Sequence, residues 1–286
     1  MQLQAIVEET AANSQQLAEL TENFARTGQG LKADAERARV ELMLRRTAVA
    51  QVDEEIAVAS ARLIQLLHVR PETTLIPQEP AVVPIELVAV DVPRTELLST
   101  GLSNRPELAE ARNLVCEAVN RYRREQWSPW LPSAILATSY TGFGGGQGSD
   151  LDDFGDRVDF DAVAFWEIRN LGFGERAARN RARAQMQQAE FEQIRRMDEV
   201  AREVVEGHAQ VLARQRQISL AEQAVQSAVE SYRLNVERIR DGQGLPIEVL
   251  QAIQALDQTR REYLRAVVAY NEAQFRLQRV LGWPVR

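Results

Sequence analysis

Apolar residues in this chain follow two periods. From Pro246 to Leu281 they recur in alternating steps of four and three: Val249, Ile253, Leu256, Tyr263, Val267, Tyr270, Leu277 and Leu281, with Arg260 and Gln274 filling the gaps. That is a heptad seam, and it predicts a helix packed lengthwise on another. The partner precedes it. From Glu175 to Arg240 there is no proline and a single glycine, Gly207, in a run dominated by Ala, Gln, Glu, Arg and Leu. These are good helix formers. At about 1.5 Å per residue the run would make a helix of roughly 100 Å. Such a helix belongs in a rod, a coiled coil or a tunnel. Asp241-Gly242-Gln243-Gly244-Leu245-Pro246 separates the two: glycine closes one helix and proline opens the next. The expected unit is an antiparallel coiled-coil hairpin.

The hairpin occurs twice. Gly28-Gln29-Gly30-Leu31 repeats as Gly242-Gln243-Gly244-Leu245, an offset of 214 residues (245 − 31). The same offset aligns Leu42 with Leu256, Arg46 with Arg260, Arg62-Leu63 with Arg276-Leu277 and Leu67 with Leu281, without a gap. Shared heptads could match some leucines by chance, but not the turn and two arginines as well. This is an internal repeat. Three parts follow: a partial first repeat over 1–70, a connector over 71–103 and a second repeat over 104–286. Within the second repeat we expect a helix, a β-hairpin over 132–172 and a long helical hairpin over 174–282.

The connector, Pro71 to Ser103, holds five prolines and reads as extended chain with a short strand at Ile85 to Val90. A helix should open at "NRPEL", with Asn104 as cap and Pro106 in the first turn, and run to about Glu125. Period 2 then replaces period 3.6. Ala134 to Phe143 carries β-formers with weak alternation, and Val158 to Ile168 is a second run. One face of the second run reads Phe160, Ala162, Ala164, Trp166 and Ile168; the other mixes Asp159, Asp161 and Glu167 with Val163 and Phe165. About ten residues per strand with one apolar face suits a membrane β-barrel hairpin. A soluble hairpin buried on one face has the same pattern. Trp127, Trp130 and Tyr140 bracket the strand as interfacial aromatics do.

Gly172-Phe173-Gly174-Glu175-Arg176-Ala177 fits G-x-G-x-x-A, the turn of a dinucleotide-binding unit. That unit needs a second parallel strand within about 30 residues. Here a helix of more than sixty residues follows, so the glycines instead let the chain swing from strand into helix.

Composition narrows the function. The net charge of −7 disfavours a nucleic-acid partner. Cys116 is the only cysteine, so no internal disulfide forms, and it reads as a helix-packing residue. His68 and His208 have no metal-ligand spacing, and the aspartates from Asp150 to Asp156 lack an EF-hand pattern. No metal, cofactor or catalytic motif is read, so an enzyme is not expected. No apolar run is long enough for a transmembrane helix, and the first residues do not form a signal peptide. Taken alone, the latter favours the cytoplasm.

Several stretches together resemble the TolC-like outer-membrane efflux proteins. They are "NRPEL", "WLPSAILATSY", "NLGFGERAARNRARAQ" and "DGQGLPIEVLQAIQALDQTRREYLRAVVAYNEAQFRLQRVLG". The resemblance implies a mainly α fold with a β-hairpin: helical hairpins forming a tunnel, plus strands of a transmembrane β-barrel. It implies a homotrimer in outer-membrane lipid, spanning outer membrane and periplasm, that conducts passively for a tripartite efflux or type I secretion system. Its partners would be a periplasmic adaptor and an inner-membrane transporter. Gly28, Gln29, Gly30, Leu31, Gly242, Gln243, Gly244 and Leu245 would be adaptor-docking tips. Asp34 and Glu248 would line the aperture; Gln251 stands where some members carry a second acid. The first repeat is present only from its descending helix onward, so a fragment, a misplaced start or a truncated gene is expected. The alternatives are a soluble or periplasmic coiled-coil scaffold and a remnant without function.

Overall fold

The structure, a computed structural model, describes residues 1–79, 81–144 and 155–283. The elements run α1 (Gln2–Thr27), α2 (Lys32–Leu67), α3 (Arg94–Asn104), α4 (Pro106–Trp127), β1 (Ser133–Phe143), β2 (Gly155–Phe165), α5 (Phe173–Arg240) and α6 (Pro246–Val280). Among the described residues the fold is mainly helical with one antiparallel strand pair. The chain divides into two compact units, residues 1–100 with 203–286, and residues 101–202.

In the first unit the two expected helical hairpins share a core. Leu17 of α1, Ala38 of α2, Ile239 of α5 and Val249, Leu250 and Ile253 of α6 are buried together, with Phe24, Tyr232 and Val236 packed against them. The seam of α6 is buried nearly throughout, and Leu277 and Leu281 are sealed from solvent. Gly207 explains itself here. A Cβ added to it would stand 3.3 Å from Leu277 Cδ1, so the glycine admits a close approach of α5 to α6.

Polar groups interrupt this core at two places. Asp257 of α6 is buried; its Oδ2 accepts from Arg45 Nη1 of α2 at 2.9 Å and its Oδ1 from Arg261 Nε at 2.8 Å. Arg45 also pairs with buried Glu41 at 2.6 Å, and Thr10 Oγ1 of α1 donates to Asp257 Oδ1 at 3.4 Å. Three helices thus meet on one carboxylate. Farther along α6, Gln274 is fully buried. Its Oε1 accepts from the backbone N–H of Val88 at 2.9 Å and of Leu87 at 3.2 Å, and its Nε2 donates to the Val88 carbonyl at 3.2 Å and the Tyr270 hydroxyl at 2.9 Å. One turn earlier, Asn271 accepts from Ile85 N–H at 2.8 Å and donates to the Val83 carbonyl at 2.9 Å.

That clamp corrects the expected strand at Ile85 to Val90. The segment is irregular, because side-chain amides of α6 take the backbone groups a neighbouring strand would have used. The connector is also not extended to Ser103: α3 occupies Arg94–Asn104, opening directly after Pro93. Asn104 therefore ends α3 instead of capping α4. Arg105 holds the cap position of α4 without a side-chain cap bond, and Pro106 opens that helix, which runs past Glu125 to Trp127.

Truncating Gln274 to Ala would orphan the buried amide hydrogen of Val88 and the part-buried one of Leu87. At about 1–3 kcal/mol for each unsatisfied group, a loss of roughly 2–6 kcal/mol is expected in urea unfolding. Limited proteolysis should then cut first between residues 81 and 93.

Candidate functional site: the helix tips and the strand hairpin

The two Gly-Gln-Gly-Leu turns have one geometry. Gly28 and Gly242 close α1 and α5 with φ of 75° and 73° in the left-handed region, where a Cβ is costly. In the first turn the N–H groups of Gln29 and Gly30 donate to the Phe24 carbonyl at 2.9 and 3.0 Å. In the second, Gln243 and Gly244 donate to the Arg238 carbonyl at 2.8 and 2.9 Å. Phe24 and Arg238 are themselves 214 residues apart, so the repeat extends to individual hydrogen bonds. Gly30 and Gly244 are needed for space: a Cβ would fall 2.8 Å from Phe24 Cβ and 2.8 Å from the Ile239 nitrogen. Each turn then presents a leucine with extended backbone at the cap of the next helix, Leu31 at 70% exposure and Leu245 at 61%. The turns lie side by side around a cleft of about 560 Å³, lined also by Phe24, Asp34, Ile239 and Pro246.

The two expected aperture acids are both engaged near these turns. Glu248 Oε2 accepts from the Leu245 N–H at 3.1 Å, capping α6, and lies 3.3 Å from Arg238 Nη1. Asp34 pairs with Arg37 at 3.3 Å. Gln251 is exposed one turn beyond Glu248.

In the second unit, β1 and β2 pair antiparallel from Ser133↔Phe165 to Phe143↔Gly155. The strand expected at Val158 to Ile168 is shifted toward the N-terminus, to Gly155–Phe165, because this register places the ends of β2 opposite those of β1. Trp166 and Ile168 leave the ladder. The register gathers Ala134, Leu136, Tyr140, Val158, Phe160, Ala162 and Ala164 on one face, with Thr138 among them and Gly142 and Asp156 at one end. The other face mixes the Arg157–Asp159 pair at 2.6 Å, Ser133, Ser139, Thr141 and Asp161 with Ile135, Ala137, Phe143, Val163 and Phe165. Apart from half-buried Asp159, both strands are exposed.

The glycine stretch that resembled a cofactor turn is the junction from strand to helix. Asn170, Leu171 and Gly172 all adopt positive φ, at 48°, 54° and 94°. Two of the three are not glycine, which the sequence did not announce. A Cβ on Gly174 would fall 2.7 Å from Arg169 Cβ. Glu175 Oε1 accepts from the Arg169 N–H at 2.6 Å, and the Arg169 guanidinium reaches Glu175 at 3.4 Å and Glu125 of α4 at 3.1 Å. Hydrogen bonding from the Arg169 N–H, helped by its guanidinium, outweighs desolvation and holds the Glu175 carboxyl below the usual carboxylate range.

Other sequence candidates are not brought together. His68 ends α2 with a left-handed backbone, and His208 is buried on α5. Cys116 is exposed on α4. Arg46 approaches Gln15 at 3.5 Å and Arg260 pairs with Glu9 at 2.5 Å. Among the described residues no group of His, Cys, Asp or Glu is placed to hold a metal. Asp150, Asp152 and Asp153 lie outside the described residues. Among the described residues no helix is long and apolar enough to cross a membrane, which leaves the strands untouched as membrane elements.

Residues 97–283, well over half of the chain, match the outer membrane efflux protein family. The chain belongs to that family. The whole fold recurs in solved structures. These include the outer membrane protein VceC of Vibrio cholerae, with a TM-score of 0.77 and 19% identity over 100% of this chain and 66% of that one. CusC, described with folding and transmembrane channel formation, gives 0.79 and 21% over 99% and 66%. The open-state MtrE outer membrane channel of Neisseria gonorrhoeae gives 0.74 and 18% over 99% and 64%. The chain thus spans slightly less than two thirds of the length of these structures. No curated protein sequence gives a significant match.

Two outcomes test this geometry. Gly242→Ala should cost about 1–2 kcal/mol for its left-handed backbone, and Gly244→Ala about 1–3 kcal/mol for overpacking, both read as a lowered urea midpoint. At the junction, the folded pKa of Glu175 lies below its unfolded value of about 4.3. Its contribution is therefore full above that pH and is lost as pH falls through the lowered folded value. Wild type should lose stability over this acid range more steeply than Glu175→Gln.

Proposed function

We propose that the chain is a subunit of an outer-membrane channel that serves as a passive conduit for export. It would assemble as a homotrimer and work with a periplasmic adaptor and an energised inner-membrane transporter. One observation carries the reading: the register of β1 on β2 gives an exposed, two-edged sheet one face that is apolar but for Thr138, Gly142 and Asp156, and a second face that mixes apolar side chains with Arg157, Asp159 and Asp161. A sheet with an apolar outer face, a mixed inner face and open edges reaches stability by closing with further strands in lipid. Family membership and the likeness of the fold to the MtrE outer membrane channel support the same reading. The family is one of channels, not of enzymes.

The tips supply the adaptor site. Leu31 and Leu245 project from rigid, hydrogen-bonded turns beside a common cleft, an arrangement that suits apolar anchoring of a partner's helical end. Asp34 and Glu248, just inside the turns, would stand where the lumen narrows.

Deleting residues 134–168 should abolish membrane partition of the chain; unchanged partition would remove the channel reading. Leu31→Glu combined with Leu245→Glu should leave helicity and membrane partition intact while weakening adaptor binding at least about tenfold in a pull-down titration.

A further inference from the structure

The charge of this chain is unevenly placed. Residues 121–130 and 169–184, which flank the strand hairpin on both sides, contain eight arginines, two glutamates and no lysine or aspartate, a net of +6. The whole chain carries −7, so the remainder carries −13. The two glutamates are consumed locally: Glu125 and Glu175 both pair with Arg169. Arg123, Arg176, Arg181 and Arg183 are exposed and pair with no acid among the described residues.

The same ends of α4 and α5 carry exposed aromatics. Trp127 and Trp130 follow Arg123, Trp166 closes the hairpin, and Phe173 opens α5. Rings on the strand side and cations on the helix side match the order of a membrane–water interface. Direction adds to position. Helical side chains lean toward the helix N-terminus, so the arginines of α5 lean toward the strands. Arg123 and Arg176 lie within one turn of the helix ends, and Arg181 and Arg183 within about 15 Å of the start of α5 at 1.5 Å per residue. With their reach, all four come within about a Debye length of a headgroup layer.

We propose that this arginine collar binds anionic phospholipid headgroups of the leaflet through which the strands leave the membrane, fixing the depth of the hairpin. The inference rests on the membrane reading above and names the lipid that the foot of the hairpin selects. Phosphate oxygens suit guanidinium donors, and the sequence-wide negative charge keeps the attraction confined to this level of the molecule.

The full chain would be floated with vesicles of phosphatidylcholine alone and of phosphatidylcholine mixed with phosphatidylglycerol. Each arginine near an anionic surface contributes about fivefold. Partition into the anionic vesicles should therefore be at least about tenfold stronger at low salt and should converge with the neutral vesicles when the Debye length is cut to a few ångströms. Arg123→Gln, Arg176→Gln, Arg181→Gln and Arg183→Gln together should abolish the preference while keeping flotation with the neutral vesicles. The matching four lysine substitutions should retain it. Wild type that floats equally with both compositions at low salt would overturn the collar and leave the channel reading standing. Wild type that floats with neither would remove the channel reading and the collar with it. Should the glutamine variant not fold by far-UV circular dichroism, the salt and composition dependence of wild type still decides.

Discussion

A heptad seam is nearly indifferent to sliding by one repeat, about 10 Å along the axis. Long helical hairpins like those of this chain therefore need features that can be satisfied in only one register. Asp257 is the main one. Its carboxylate is buried where Arg45 of α2, Arg261 of α6 and Thr10 of α1 converge. A slip of α6 by seven residues would part that carboxylate from Arg45 and Thr10, leaving Asp257 with Arg261 of its own helix and Arg45 with Glu41 of its own. Buried ion pairs contribute little net stability, because desolvation offsets the attraction. Losing one partner is costly, however, so the network discriminates between registers more than it stabilises the correct one. The turns and the Gln274 clamp act in the same sense, each binding backbone groups that have no alternative partner nearby.

The repeat explains what could be read in advance and what could not. Helix extents, the paired turns and the strand pair follow from periodicity and from glycine and proline placement, and these are local properties. The clamp and the buried network are contacts between residues some 186–247 positions apart, which no local pattern encodes. A signal was nevertheless present. At the 214-residue offset, Asp257 corresponds to Met43, Asn271 to Ala57 and Gln274 to Ser60. These are positions where one copy carries a carboxylate or carboxamide on or beside a seam that the other copy leaves apolar or small. Such divergence marks where the copies meet different surroundings. Gln274, taken as a gap in the seam, is instead its most important polar contact.

Burial diverges in the same way. Leu277 is 1% exposed and its counterpart Leu63 is 47%, although both occupy the same heptad position. The second-repeat leucine packs on α5 near Gly207, whereas α2 runs on beyond the span that α1 covers: Gln4 of the first turn of α1 already meets Asp53. One heptad position is thus buried at Leu277 and exposed at Leu63.

The junction between β2 and α5 shows how local strain solves a problem of spacing. Paired strands lie about 4.8 Å apart, whereas packed helices need 8–10 Å between axes. A hairpin that continues into two helices must splay over a few residues. On one side the chain does so through the short 3-10 turn Ser128–Trp130. On the other it passes through three successive left-handed residues, two of which carry side chains, with Leu171 at 92% exposure. Such backbone costs about 1–3 kcal/mol per strained residue and persists only where its surroundings over-determine it. Arg169 supplies that constraint, with its N–H on Glu175 and its guanidinium between Glu175 and Glu125. The arginine ties the end of α4 to the start of α5 just where the strands release them. The G-x-G-x-x-A pattern arises from this geometry, in which Gly172 supplies the last left-handed residue and Gly174 the room for Arg169.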